Sequence, residues 1–441
     1  MKSALPAVVV GGGIAGLSAA TALAEAGVAV RLFEARPTLG GRANTFRDPV
    51  TGDRVDNGQH VLAGCYSETL RFLRRIGAVE LLHWPSTLRV PVIDEDGRRS
   101  ELVLPPLPAP IDLAAGVLTW DALCREDRWS VLRIAGALKG RARIPPDETV
   151  RDLLKRYQQS SRLCRLLWEP LALATLNQSI DQAAATSFVA VTSRMFGGAP
   201  GASTLLLPAV PLDELYVAPA RRFLNRHGVE ITTNAKVALA WRDGSLVGIE
   251  WSGQVVPATL IVCAVPWFAV SDLLEGAPDT LSTLRDNADA MPSSPIITVN
   301  LWFEGYVADD AFVGLPGRTF QWAFARERLV GSGQSHLSLV SSGADAICSR
   351  PNDALIALAV AEVREAIPAI RGRSLTHALV IRERRATFSL RPGTPPRPAT
   401  TTSVGGLLLA GDWIDTGLPA TIESAVLSGH MAAAAALTRC H

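Results

Sequence analysis

The 441-residue chain is short of lysine: Lys2, Lys139, Lys155 and Lys236 are its four, and none follows Lys236. Arginine carries the remaining positive charge and the formal net charge is +1, which leaves no basic excess for a nucleic-acid partner and no acidic tail. Six cysteines (Cys65, Cys124, Cys164, Cys263, Cys348 and Cys440) are scattered with no Cys-x-x-Cys pair. That excludes the usual zinc and iron–sulfur spacings, argues against a disulfide framework and fits a reducing cytoplasm. No metal is expected. No apolar run reaches membrane-spanning length without charges or helix breakers, so any membrane contact should be peripheral, at the inner face. Residues 4–23 are apolar behind Lys2, as in a signal peptide, but that reading leaves the glycines between Gly11 and Gly16 unexplained.

What the chain has is apolar bulk, 48% hydrophobic residues against 19% charged. Its length exceeds what one core usually organises, so two domains are expected. Ala7–Val10 reads as a buried strand, Ile14 to Ala26 as a helix stopped by Gly27, and Val28 to Glu34 as a second strand. This is a βαβ beginning. Residues 110–195 carry helical periodicity, residues 229–265 return to strands, and alternation between 295 and 342 predicts an antiparallel sheet. A helix over 351–368 follows, then a strand from Gly406 to Ala410 and a closing helix from Thr421 to Leu437. The fold class expected is α/β: a Rossmann-type cofactor domain in three pieces (residues 1–90, 205–275 and 385–441) and a discontinuous α+β substrate domain (91–204 and 276–384).

Gly11-x-Gly13-x-x-Gly16 follows the first strand and opens the helix, as a dinucleotide fingerprint requires. Gly11 allows the tight turn, Gly13 admits the phosphates, and Gly16 brings helix and strand close. Ile14 and Ala15 then lie at the helix N-terminus, which offers N–H groups to phosphate. Glu34, with Ala35 and Arg36 after it, stands where a carboxylate accepts bonds from ribose hydroxyls and disfavours a 2′-phosphate. Two further features favour FAD over NAD. Gly40, Gly41 and Arg42 can approach the pyrophosphate. The strand ending in Gly411-Asp412 would offer Asp412 to the ribityl chain, with Thr421 and Ile422 opening a helix toward the flavin ring.

The first forty residues resemble the amine oxidase and carotenoid desaturase superfamily. The blocks Asp56-Asn-Gly-Gln-His60-Val-Leu-Ala-Gly-Cys-Tyr66 and Gly411-Asp412-Trp-Ile-Asp415, together with Trp168-Glu-Pro and Val299-Asn-Leu-Trp-Phe303, resemble the hydroxysqualene dehydroxylase family. The resemblance implies an amine oxidase-like fold, non-covalent FAD, and hydride donation from reduced flavin to hydroxysqualene, giving squalene and water in hopanoid biosynthesis. A reductant for FAD is implied but not identified. The resemblance also places Gly58, Gln59 and His60 beside the flavin, and Val237 among the cofactor residues. A carotenoid desaturase, which withdraws hydride, is the alternative. The lysine–water pair of amine oxidases has no counterpart after Lys236, and no cysteine lies near 411–425 to attach flavin covalently.

Loss of an allylic hydroxyl asks for an acid or hydrogen-bond donor. His60 is the first candidate because its ordinary pKa is near neutrality; alternatively, Gln59 and His60 only bond the flavin edge. Asp415 is a second candidate, or a turn cap. A long isoprenoid needs an apolar tunnel, for which Trp168, Asn177, Trp302, Phe320, Trp322 and Phe324 are candidate walls. The segment 105–120, apolar and proline-punctuated, could anchor the protein on a membrane surface or form a buried loop and helix.

Overall fold

The computed structural model describes residues 5–108, 111–197, 201–305, 309–331 and 335–440. Two sheets organise it. The first is wholly parallel, in the order Glu230–Thr232, Val30–Phe33, Ala7–Val10, Ile261–Cys263 and Leu407–Leu409. Its central strands read as unbroken apolar runs because both faces are covered, one by the helices Ile14–Glu25, Ala218–Arg226 and Ile422–Cys440 and the other by a small antiparallel sheet, Ala238–Arg242, Ser245–Trp251 and Gln254–Pro257. The helix Ile14–Glu25 leaves the first strand and ends where Gly27, at φ +80°, lets Val28 N–H return to Leu23 O. The closing helix Ile422–Cys440 packs across it. A Cβ on Gly429 would stand 2.3 Å from Ala15 O, so only glycine permits this approach.

The second sheet is mixed, in the order Leu375–Phe388, Ser293–Phe303, His336–Ser342, Trp322–Ala325, Phe312–Gly314, Leu88–Ile93 and Arg99–Leu104. The period of two assigns its faces. Ile297, Val299, Leu301, Leu337 and Leu339 pack with Leu355, Ala359 and Val363 of the helix Asn352–Ala366. The alternate residues, Thr298, Asn300, Trp302, His336, Ser338 and Val340, face the other way. The hairpin Leu88–Ile93/Arg99–Leu104 and the 14-residue strand Leu375–Phe388 were not read from the sequence. The long strand is at a sheet edge, where charged residues such as Arg382, Glu383 and Arg384 are tolerated and mask the apolar alternation. Residues 111–197 are mainly helical, and their apolar side chains pack with Leu88, Val92, Leu102 and Leu104 of the hairpin.

A buried ion pair helps tie the two parts together. Arg326, 3% exposed, donates Nη1 to Oδ2 of Asp56, 2% exposed, at 2.8 Å. Leu212 N–H donates to the other Asp56 oxygen at 3.0 Å. Removing one partner strands a buried charge, so Asp56→Ala is expected to lower stability by about 3–5 kcal/mol. Denaturant unfolding of that variant checks it.

Candidate active site

A cavity of about 680 Å³ runs between the two sheets. At one end it is walled by backbone: Gly11, Gly13, Ile14 and Ala15 from the first turn and Gly40, Gly41 and Arg42 from the second. Gly11 holds φ +104°, and a Cβ there would meet Ala264 O at 2.7 Å. At Gly13 an added Cβ would meet nothing nearer than Gly41 Cα at 3.9 Å, so it would project into open cradle. Gly13 caps the helix without a side chain, leaving its first N–H groups turned to the cavity. Gly16 is not on the wall. Its Cβ would fall 1.9 Å from Gly11 O, so it acts by packing.

Glu34 is buried and accepts the N–H groups of Gly12 (2.7 Å) and Arg36 (2.8 Å), which fixes its carboxylate at the strand end. Ala35, Arg36 and Val237 line the same end. Arg42 pairs with Asp412, donates to Ala386 O at 2.7 Å, and lies over the Trp267 ring at 5.4 Å. It therefore bridges the two glycine blocks. Asp412, Thr421, Ile422 and Gly58 also line the cavity. Thr421 Oγ1 accepts from Ser424 N–H at 3.1 Å, so it opens the closing helix; that helix starts well beyond Asp412. These residues fit FAD: a glycine cradle and helix N-terminus for the diphosphate, an acid for ribose, and Arg42 and Asp412 farther in.

Beyond this end the wall turns apolar, with Leu104, Leu113, Trp120, Phe196, Trp322 and Phe324 among its residues. Three of the expected tunnel aromatics are elsewhere. Trp168 is buried against Phe188 with its N–H on Gln159, and Phe320 precedes the strand and packs into the core on the sheet's far face. Trp302 stacks on His336 and donates to Asp53 at 2.7 Å. Period-two alternation groups residues by face but does not say which face meets a cavity. Asn177 does line it, yet its amide is engaged by Ser294 O, Thr387 Oγ1 and Gly343 N–H.

Asp415 is not at the site. It accepts from Gly417 N–H at 3.1 Å and from Arg397 at 3.3 Å in a turn, with its side chain 61% exposed. Gln59 and His60 are on the cavity wall. His60 is half-buried, and burial pushes its pKa down to about 4; Asp56 opposes the shift and Arg42 adds to it. The shift favours the neutral ring at neutral pH, against the expectation drawn from its ordinary pKa. Arg326 was missed altogether. It donates to Gln59 Oε1 at 3.2 Å while holding Asp56, a contact between distant parts of the chain that no local motif announces.

The family model for flavin-containing amine oxidoreductases matches residues 14–437. Among curated proteins, hydroxysqualene dehydroxylase of Rhodopseudomonas palustris is 30% identical, over 96% of each chain. Hydroxysqualene dehydroxylase of Sinorhizobium fredii is 29% identical over 98% of each. Among solved structures, an oxidoreductase from Methanosarcina mazei superposes with a TM-score of 0.76 at 16% identity, covering 97% of this chain and 99% of that one.

Proposed function

The chain belongs to the hydroxysqualene dehydroxylase family of flavin-containing amine oxidoreductases and is an FAD-dependent oxidoreductase, and from that premise we propose that it removes the allylic hydroxyl of hydroxysqualene to give squalene and water. The observation that carries this reading is the cavity, whose polar glycine-lined end runs directly into an apolar one. A C30 isoprenoid offers little but hydrocarbon, and such a wall holds it by burial while excluding water. FAD, when bound and reduced, would supply the hydride. The protein's own work is to lay the carbon chain along Leu104, Leu113, Trp120 and Trp322 and to bring the hydroxyl to His60. There a neutral ring N–H can stabilise the departing oxygen, which becomes water by taking one proton from solvent. Trp322 and Phe324 present aromatic faces to positive charge developing on the allyl unit. Prereduced protein given hydroxysqualene should yield squalene; formation of more unsaturated products from phytoene by the oxidised protein, with no squalene, would overturn the reading in favour of a desaturase.

We propose further that the substrate is admitted from a membrane surface. No helix among the described residues is long and apolar enough to cross a membrane. The helix Ile111–Thr119 lines the cavity with Leu113 and exposes Ile111. The next, Arg125–Leu138, exposes Trp129 (59%) and Leu132 (44%). Arg125, Arg133, Arg141 and Arg143 stand exposed in the same stretch, against the exposed acids Asp121 and Glu126, and apolar side chains among an excess of arginine suit an anionic interface. Of the expected anchor at 105–120, Ala109 and Pro110 lie outside the described residues. Trp129→Glu with Leu132→Glu is expected to reduce flotation with anionic liposomes at least tenfold while leaving FAD content unchanged; undiminished flotation would exclude this surface.

A further inference from the structure

A second chamber, of about 10 Å³, lies behind the main cavity. Its wall includes Asp56, Gln59, His60, Leu212, Phe324 and Arg326. Gln59, His60 and Phe324 line both spaces and form the partition between them. The chamber is close to the smallest space that admits one water. Two nitrogens of its wall residues are buried without a partner among the described residues: Nη2 of Arg326 and Nδ1 of His60. The other end of the guanidinium is committed, with Nη1 shared by Asp56 and Gln59.

The chemistry of these two atoms is restrictive. A guanidinium nitrogen only donates, and an imidazole nitrogen accepts only when it carries no hydrogen. We propose that one water in the chamber accepts from Arg326 Nη2 and donates to His60 Nδ1, holding His60 as the neutral Nε2–H tautomer and making Arg326 the positioning residue for the donor. The water's orientation is set by the cation, because a water facing Arg326 with its oxygen has its hydrogens left for the ring. The single ring hydrogen then sits on Nε2. That nitrogen, unlike Nδ1, is not sealed off, and His60 lines the main cavity as well as the chamber. The charged groups acting on the ring agree with this arrangement: burial and Arg42 oppose protonation, and Asp56, which alone favours it, is already neutralised by Arg326. An anion in the chamber would demand the opposite tautomer, since it would accept from both walls.

The proposal deepens the reading of the site given above, but its test needs no substrate. The FAD-loaded protein, labelled with ¹⁵N-histidine, is examined by long-range ¹H–¹⁵N correlation, with His60→Gln identifying the signal. The expected pattern at neutral pH is a protonated Nε2 and an unprotonated, hydrogen-bonded Nδ1, unchanged down to about pH 5. In Arg326→Met combined with Asp56→Asn, which leaves no lone buried charge, the ring should become a mixture of tautomers. Arg326→Lys, which keeps the ion pair but loses the planar fork, should lie between. An Nδ1–H ring in the parent protein, titration near the ordinary histidine pKa, or an unchanged tautomer in the double variant would each overturn the assignment. Failure of hydroxysqualene turnover would not affect this readout, so the two ideas fall separately.

Discussion

Gly16→Val is expected to give a protein that folds but is colourless as purified, with FAD affinity reduced more than a hundredfold. A Cβ at this position would sit 1.9 Å from Gly11 O and 3.3 Å from the Ala264 side chain. Neither the backbone carbonyl nor the strand behind it can retreat, so the helix must move away from the sheet. The N–H groups of its first turn move with it, and the diphosphate cradle opens. Because anion recognition there depends on several N–H groups converging at once, a shift of about 1 Å forfeits most of it. Flavin absorbance per mole of protein gives the result, and circular dichroism separates loss of cofactor from loss of fold. A fully yellow Gly16→Val protein would mean that the glycine turn is not the diphosphate site.

His60→Ala should retain FAD and ligand binding but lower the rate of flavin reoxidation by hydroxysqualene about 10²–10³-fold, the range seen when one donor to a developing oxyanion is removed. His60→Gln keeps an N–H near the same place and should recover part of the rate. The pH dependence follows from the depressed pKa. Folded His60 titrates near 4 while the unfolded residue titrates at its ordinary 6.5, so between those values the unfolded chain binds more protons. Its contribution to stability is present in full above about 6.5 and is lost as pH falls toward 4. The rate should accordingly show no limb between pH 6 and 7 attributable to this ring. Rates measured across that range in parent and His60→Gln proteins check it; a parent-only inflection near 6.5 would contradict a neutral donor.

The glycine turn, the acid at Glu34 and the strand ending at Gly411 were legible in the sequence because each is a local demand on the backbone. A positive φ at Gly11 and a helix packed on a strand at Gly16 leave marks within a few residues. Where two distant segments meet leaves none. Arg326 and Asp56 are far apart in the chain, and only the docking of the large sheet against the parallel one makes them partners. The aromatic residues show the same limit. Trp322 and Phe324 reach the cavity, while Phe320, two residues earlier, sits outside the regular strand and turns into the opposite core. Asp415 had the composition of a site residue and the geometry of a turn, which hydrogen bonds to Gly417 and Arg397 make plain. His60 was found by type and neighbourhood, but its protonation state depends on enclosure, which residue identity does not encode.

The central claim is that the apolar cavity delivers an allylic alcohol to reduced FAD. The most direct test reduces the purified yellow protein without oxygen, adds hydroxysqualene, and follows the flavin absorbance while squalene is quantified. Reoxidation with one squalene formed per flavin is the expected result. A flavin that stays reduced in the presence of bound hydroxysqualene would contradict it.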